Sequence, residues 1–125
     1  ITQALNDAQI QPSDVGLVLS GAIGLKDLDH AELTALKNVF GETAAVPALA
    51  VPAMLWGNLF EAGGVIELAM FQELYEHGSV PESMVAADPV RPFGTIINPD
   101  KPYCLSLRVT PWGEYSCIVA KREDG

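Results

Sequence analysis

Cations are scarce in this chain of 125 residues: seven Lys and Arg face sixteen Asp and Glu, for a formal charge of -9. The seven (Lys26, Lys37, Arg91, Lys101, Arg108, Lys121 and Arg122) never gather into more than a pair. Neutralising phosphates takes a basic patch, so nucleic acid is not an expected partner. The same shortage argues against docking onto an acidic protein through this segment alone. Cysteine is scarcer still. Cys104 and Cys117 cannot build the disulfide framework of a small secreted domain, and two reduced, half-buried thiols are expected, with a cross-strand disulfide as the alternative. His30 and His77 lie far from both thiols with no ligand-like spacing, so neither a metal nor a cofactor is expected. Long apolar runs are missing too, because Pro47, Pro52, Gly57, Gly63 and Gly64 interrupt every candidate. A membrane span needs about 20 apolar residues, and a soluble, cytoplasmic protein is the expectation. There is no initiating Met and no basic-then-apolar leader before Ile1, which predicts a fragment or an N-terminus beyond view.

What is present suits a folded α/β domain, since 49% hydrophobic residues with 18% charged can build a core. Leu5, Ala8 and Ile10 predict a short helix over residues 2–9, stopped by Gln11 to Asp14. Val15 to Leu19 is a branched apolar run that fits a strand buried on both faces, followed by a loop with Gly21 and Gly24. Asp29 is an apt N-cap with Glu32 three residues on, and Leu33, Leu36, Val39 and Phe40 continue with helical period to Gly41. Residues 45–51 predict a second strand with Pro47 at its entrance.

Residues 59–75 are apolar almost all round, which predicts a helix buried at the centre of a layered domain, ended by His77, Gly78 and Pro81. A Pro-rich connection follows to Pro102, with one extended stretch at 95–97. Residues 103–109 and 115–120 alternate as a hairpin around Pro111 to Gly113, and a polar tail covers 121–125. This order predicts a mostly parallel sheet with an antiparallel C-terminal hairpin and helices on both faces. Because the first element is a helix, a preceding strand is expected to be lost or to lie outside the chain.

Four landmarks occur in one order: Asp14-Val15 before the strand ending Ser20-Gly21; Asp29-His30-Ala31-Glu32 leading to Val39-Phe40-Gly41; Gly57-Asn58 to Glu61-Ala62-Gly63-Gly64; and His77-Gly78-Ser79-Val80-Pro81. Together they resemble the C-terminal half of a β-ketoacyl synthase, the condensing enzyme of fatty-acid and polyketide assembly, over about Ala4 to Lys121 with a one-residue insertion between Gly21 and Asp29. The resemblance implies the second half of a thiolase-like fold, in which two similar halves pack together and dimerise. The half bearing the family's nucleophilic cysteine has no counterpart in the chain.

The resemblance also implies where reactive side chains should stand. The family's His-Gly-Thr corresponds to Ser20-Gly21-Ala22, its second histidine to Asn58, and the lysine five residues before that histidine to Ala53. Serine donates one hydrogen bond but lacks the reach and the titratable ring, which weakens stabilisation of a developing enolate. Asparagine is compatible with the Cys-His-Asn triads of related condensing enzymes, whereas alanine cannot replace a cation. The family's glycine-rich loop beside the acyl channel becomes Thr110-Pro111-Trp112-Gly113-Glu114-Tyr115, in which Gly113 alone remains, so close backbone approach to a ligand is lost. His30 and His77 read as solvated imidazoles at helix ends.

The chain therefore carries no confident catalytic residue. The resemblance implies a domain that has lost condensing activity and serves as a non-catalytic, chain-length-factor-like partner of a ketosynthase, with acyl carrier protein in the full assembly and a dimer in the complete protein. Two alternatives stay open: part of an active acyltransferase whose missing half supplies the cysteine, and a free-standing structural or interaction domain.

Overall fold

The computed structural model describes residues 1–22, 24, 26–41, 46–56, 61–85, 93–110, 112 and 114–123. Helix α1 (Thr2–Asp7) leads through a 3-10 turn at Pro12–Asp14 into β1 (Val15–Leu19). Helix α2 (Lys26–Phe40) connects to β2 (Ala48–Ala50). The short α3 (Ala53–Trp56) and the long α4 (Glu61–His77) precede a second 3-10 turn, and β3 (Tyr103–Val109) and β4 (Tyr115–Lys121) close the chain. No helix among the described residues is long and apolar enough to cross a membrane.

The sheet runs β2-β1-β3-β4. β1 is parallel to both β2 and β3, and β4 returns antiparallel along β3. The chain thus crosses from β1 outward to β2 and then back over β1 to β3. Right-handed crossovers in opposite directions put their helices on opposite faces, and the packing follows. On one side Leu5 of α1 and Leu36 and Phe40 of α2 cover Val15, Val18, Leu105 and Leu107. On the other, Leu74 and Tyr75 of α4 cover Leu17, Leu19, Ala48, Ala50 and Cys104. All five residues of β1 are buried, which accounts for its unbroken apolar run: a strand covered on both faces has no polar side to show.

Gly16 is required for this arrangement. The register of β1 against β3 shifts between Val15 and Leu17. At the shift a Cβ on Gly16 would lie 2.5 Å from the Lys101 carbonyl oxygen and 2.7 Å from the Tyr75 hydroxyl. That hydroxyl stands over the backbone of Lys101, where it lies 2.7 Å from the Lys101 carbonyl and 2.9 Å from that of Tyr103.

The expected strands, the mixed sheet and the C-terminal hairpin are all present. The start of α2 differs from the sequence expectation. Asp29 is not its N-cap, because the helix begins at Lys26. Asp29 lies inside the first turn and its Oδ2 accepts the Gly24 N–H at 2.9 Å. Asp27 and Asp29 there complement the positive end of the helix dipole. Glu32 accordingly caps nothing and is freed for the interior. The expected helix over 59–75 starts at Glu61 and continues to His77, and the separate turn of α3 carries no sequence signature of its own. β2 is shorter than expected, with Pro47 buried just before it, and β4 extends one residue further, through Lys121.

Both cysteines are free. A cross-strand disulfide is ruled out by register, since Cys104 faces Ala120 and Cys117 faces Leu107. The two thiols also enter different layers, Cys104 with Leu17 and Leu74, Cys117 against the α1 and α2 side.

Candidate functional site

Reversal of crossover direction leaves a crevice outside the carboxyl ends of β1 and β3, the place where open α/β sheets bind their ligands. Ser20 follows β1 directly, Ser106 and Arg108 lie toward the end of β3, and Ala53 opens α3 just beyond β2. Three parallel strands thus deliver Ser20, Ala53 and the Thr110 end of the hairpin to one rim of the sheet. Asn58, Pro111 and Gly113 lie outside the described residues.

Two buried polar groups stand at this end of the sheet, one on the α2 side and one on the α4 side. The Ser20 hydroxyl donates to Glu32 Oε1 at 2.6 Å, and the Gly21 N–H donates to the same oxygen at 3.2 Å. Ser20 Oγ in turn accepts the Ala22 N–H at 3.1 Å. From α4, Glu67 accepts the Arg108 guanidinium at 2.7 Å and the Ser106 hydroxyl at 3.2 Å. Glu32 is 6% exposed, Glu67 2% and Ser106 1%. Such burial is tolerable for polar groups only when they are paired, and every one of these is.

The two carboxyls differ in kind. Burial is the main influence on Glu67 and raises its proton affinity above the usual carboxylate value, against the opposing pull of Arg108 and Ser106. Burial dominates at Glu32 as well, opposed by the Ser20 and Gly21 hydrogen bonds and reinforced by Asp29 and Glu67. Beside Glu32 opens a groove of about 360 Å³, walled mainly by apolar atoms of Ala31, Ala35, Leu107, Tyr115 and Cys117, with Arg108 also in its lining.

Ser20 is buried and its single hydroxyl proton is given to Glu32. Ala53 is half-buried and brings no charge. At the hairpin tip the Glu114 N–H donates to Thr110 Oγ1 at 3.0 Å and the Thr110 N–H to the Glu114 carbonyl at 2.9 Å, a turn closed on itself. Trp112 is 75% exposed and fills no interior space. His30 and His77 are both exposed, on α2 and at the end of α4.

Sequence reasoning missed Glu32, Glu67, Ser106 and Arg108 as a unit. Glu67 had a signal, as an acid set between Ile66 and Leu68 in a helix read as apolar almost all round. Arg108 had another, as the sole cation in an alternating apolar strand. Glu32 was hidden by its spacing from Asp29, which imitates a capping box.

Known proteins share this frame. The model of the beta-ketoacyl synthase C-terminal domain matches residues 1–86. The tetracenomycin polyketide synthase ketoacyl synthase beta subunit of Streptomyces glaucescens is 41% identical over 69 residues, 55% of this chain and 16% of that protein. The actinorhodin polyketide putative beta-ketoacyl synthase 2 of Streptomyces coelicolor is 32% identical over 129 residues, 98% of this chain and 31% of that one. Among solved structures, a type II polyketide synthase acyl-carrier protein in complex with its ketosynthase, bound to the hexaketide, superposes with a TM-score of 0.79 at 26% identity, covering 98% of this chain and 32% of the other. The chain spans less than a third of the length of each of these relatives.

Proposed function

Because the chain belongs to the family of beta-ketoacyl synthase C-terminal domains, we propose that it is the C-terminal half of a non-catalytic, chain-length-factor-like subunit that pairs with an active ketosynthase in polyketide assembly. The observation that carries this reading is the Ser20–Glu32 bond. Where the family resemblance places a histidine able to stabilise a developing enolate, a buried serine spends its proton on an internal carboxyl. Ala53 at the family's lysine position and the rewritten Thr110 to Tyr115 turn point the same way, and Asn58 alone stays compatible with condensing chemistry.

The printed names of the relatives, a ketoacyl synthase beta subunit and a beta-ketoacyl synthase 2, favour a second-subunit role. The surface favours a partnered half over a free-standing domain. Ile66 on α4 is 39% exposed and Ile118 on β4 is 44% exposed. Ile118 stands opposite Ser106, which bonds Glu67 of α4, so both isoleucines belong to the α4 side of the sheet. Apolar surface of this kind is what a missing half or a partner would cover. On this reading residues 1–125 form one unit of a larger thiolase-like protein, which works in the cytoplasm with a ketosynthase and acyl carrier protein.

Co-expression tests it. The full-length protein carrying this chain, affinity-tagged and produced with a ketosynthase from its own gene neighbourhood, is expected to elute with that ketosynthase in equimolar amounts. Recovery of the tagged protein alone, folded and soluble, contradicts the reading.

A further inference from the structure

We propose that the outer edge of β4 is a pairing surface for a second copy of this chain, the two β4 strands running antiparallel about a twofold axis at Ile118 and joining their sheets into one. β4 is the last strand of the sheet among the described residues. Its pairing with β3 fixes which of its backbone groups face outward. The Arg122 N–H donates to the Pro102 carbonyl at 2.7 Å, and at the other end the Thr110 N–H donates to the Glu114 carbonyl at 2.9 Å. Hydrogen-bonded pairs alternate along an antiparallel ladder, so Ser116, Ile118 and Ala120 direct their backbone groups to β3. The N–H and C=O groups of Tyr115, Cys117, Val119 and Lys121 point the other way.

Strand edges are ordinarily protected from pairing by proline, bulges or inward-pointing charges. Residues 115–121 hold no proline, no glycine and one charge, Lys121 at the end. Their register with β3 is unbroken. Self-complementarity selects a second copy as the occupant. Two such edges exchange hydrogen bonds in a register that sets outward residues against outward residues, and centring it on Ile118 uses all four. Tyr115 then meets Lys121 of the second copy, and Cys117 meets its Val119. One position further, Glu114 of each copy stands opposite Arg122 of the other, so opposite charges close both ends. Arg122 lies on the α4 side, 5.7 Å over the Tyr75 ring, and its Nε has no hydrogen-bond partner among the described residues. Strand alternation brings Glu114 to that same side. Ile118, 44% exposed, meets its own counterpart at the axis.

Pairing of this kind extends the sheet sideways and leaves the α4-side surface to other partners. The inference goes beyond the proposed subunit role and does not rest on it.

The test places Ile118→Cys in the full-length protein carrying this chain, alone or in its complex with a ketosynthase, and maps disulfides by peptide mass spectrometry after air oxidation. Non-hydrogen-bonded antiparallel pairs hold their Cα atoms about 4.5 Å apart, within disulfide reach. A covalent dimer through the two introduced thiols is expected. Ser116→Cys is the control, because four residues separate it from its counterpart in this register, about 13 Å, and no bridge between the two introduced thiols is expected. Absence of the link in Ile118→Cys, or an equal yield in Ser116→Cys, overturns the proposal. Sedimentation equilibrium gives a second reading without added cysteine. Glu114→Arg is expected to weaken self-association about tenfold, and Glu114→Arg combined with Arg122→Glu to restore it. A wild-type protein that does not self-associate, or a single variant that associates as tightly as the wild type, overturns the proposal and leaves the subunit role standing.

Discussion

Arg108 on β3 meets Glu67 on α4 at 2.7 Å, and this pair joins the sheet to its long helix at the crevice. The carboxylate is 2% exposed while the guanidinium reaches partly to water. Removing one partner of such a pair strands the other, which costs more than the pair itself contributes. Arg108→Leu is therefore expected to destabilise the protein by about 3 kcal/mol in a urea titration. Glu67→Gln, which keeps an acceptor for Ser106 and loses only the charge, is expected to cost less than half of that. Equal losses in the two variants would show that packing, not charge, governs the site.

Gly16→Ala should be among the most damaging single-methyl changes in the chain. Its Cβ meets the Lys101 carbonyl at 2.5 Å, a backbone atom that cannot swing away. The expected loss is about 2 kcal/mol, as for overpacked cores. At Gly78, where φ is +84° and a Cβ would meet open space, Ala costs only the left-handed conformation, about 1 kcal/mol. Thermal melting of the two variants side by side gives the order.

Tyr75→Phe removes the hydroxyl that bonds the Lys101 and Tyr103 carbonyls and leaves the ring, with Phe71 edge-on and Arg122 over its face. A loss of about 1 kcal/mol is expected. A change within experimental error would mean that water replaces the hydroxyl at no cost.

The pH dependence of stability follows from the two interior carboxyls. Both hold their protons more tightly folded than their ordinary value of 4.5. The folded state therefore binds more protons than the unfolded one above that pH. Their contribution to stability is complete below 4.5 and is lost as pH rises through the folded midpoints. Denaturation midpoints across this window should fall with rising pH, and less steeply in Glu32→Gln. An unchanged slope in the variant would remove Glu32 from the account.

Thiol reactivity separates the two cysteines. Burial raises both thiols above their ordinary range, and Cys104 is the more deeply enclosed. In the native protein a thiol reagent is expected to label Cys117 first and Cys104 only on unfolding. Simultaneous labelling would contradict the described burial.

Much of this fold was legible because local pattern and packing agree. Val15 to Leu19 reads as a strand buried on both faces, and it is one; residues 103–109 and 115–121 pair as their alternation requires. What was illegible is set by tertiary contacts. Nothing near Glu32 in sequence says that its partner is Ser20, twelve residues back across a loop, and its spacing from Asp29 suggests a local role instead. Glu67 and Arg108 are 41 positions apart and meet only because α4 crosses over β1 to reach β3. The silent positions Ser20 and Ala53 were identified by family resemblance; their shared rim comes from the parallel topology.

The most direct measurement of the central claim is condensation itself. The full-length protein carrying this chain is combined with its ketosynthase partner after the partner's nucleophilic cysteine is changed to alanine, and supplied with acyl carrier protein and malonyl thioester. The account predicts no carbon-carbon bond formation from this mixture and full recovery when the intact partner is used. Condensation products from the disabled mixture would show that the site around Ser20 and Glu32 is catalytic after all.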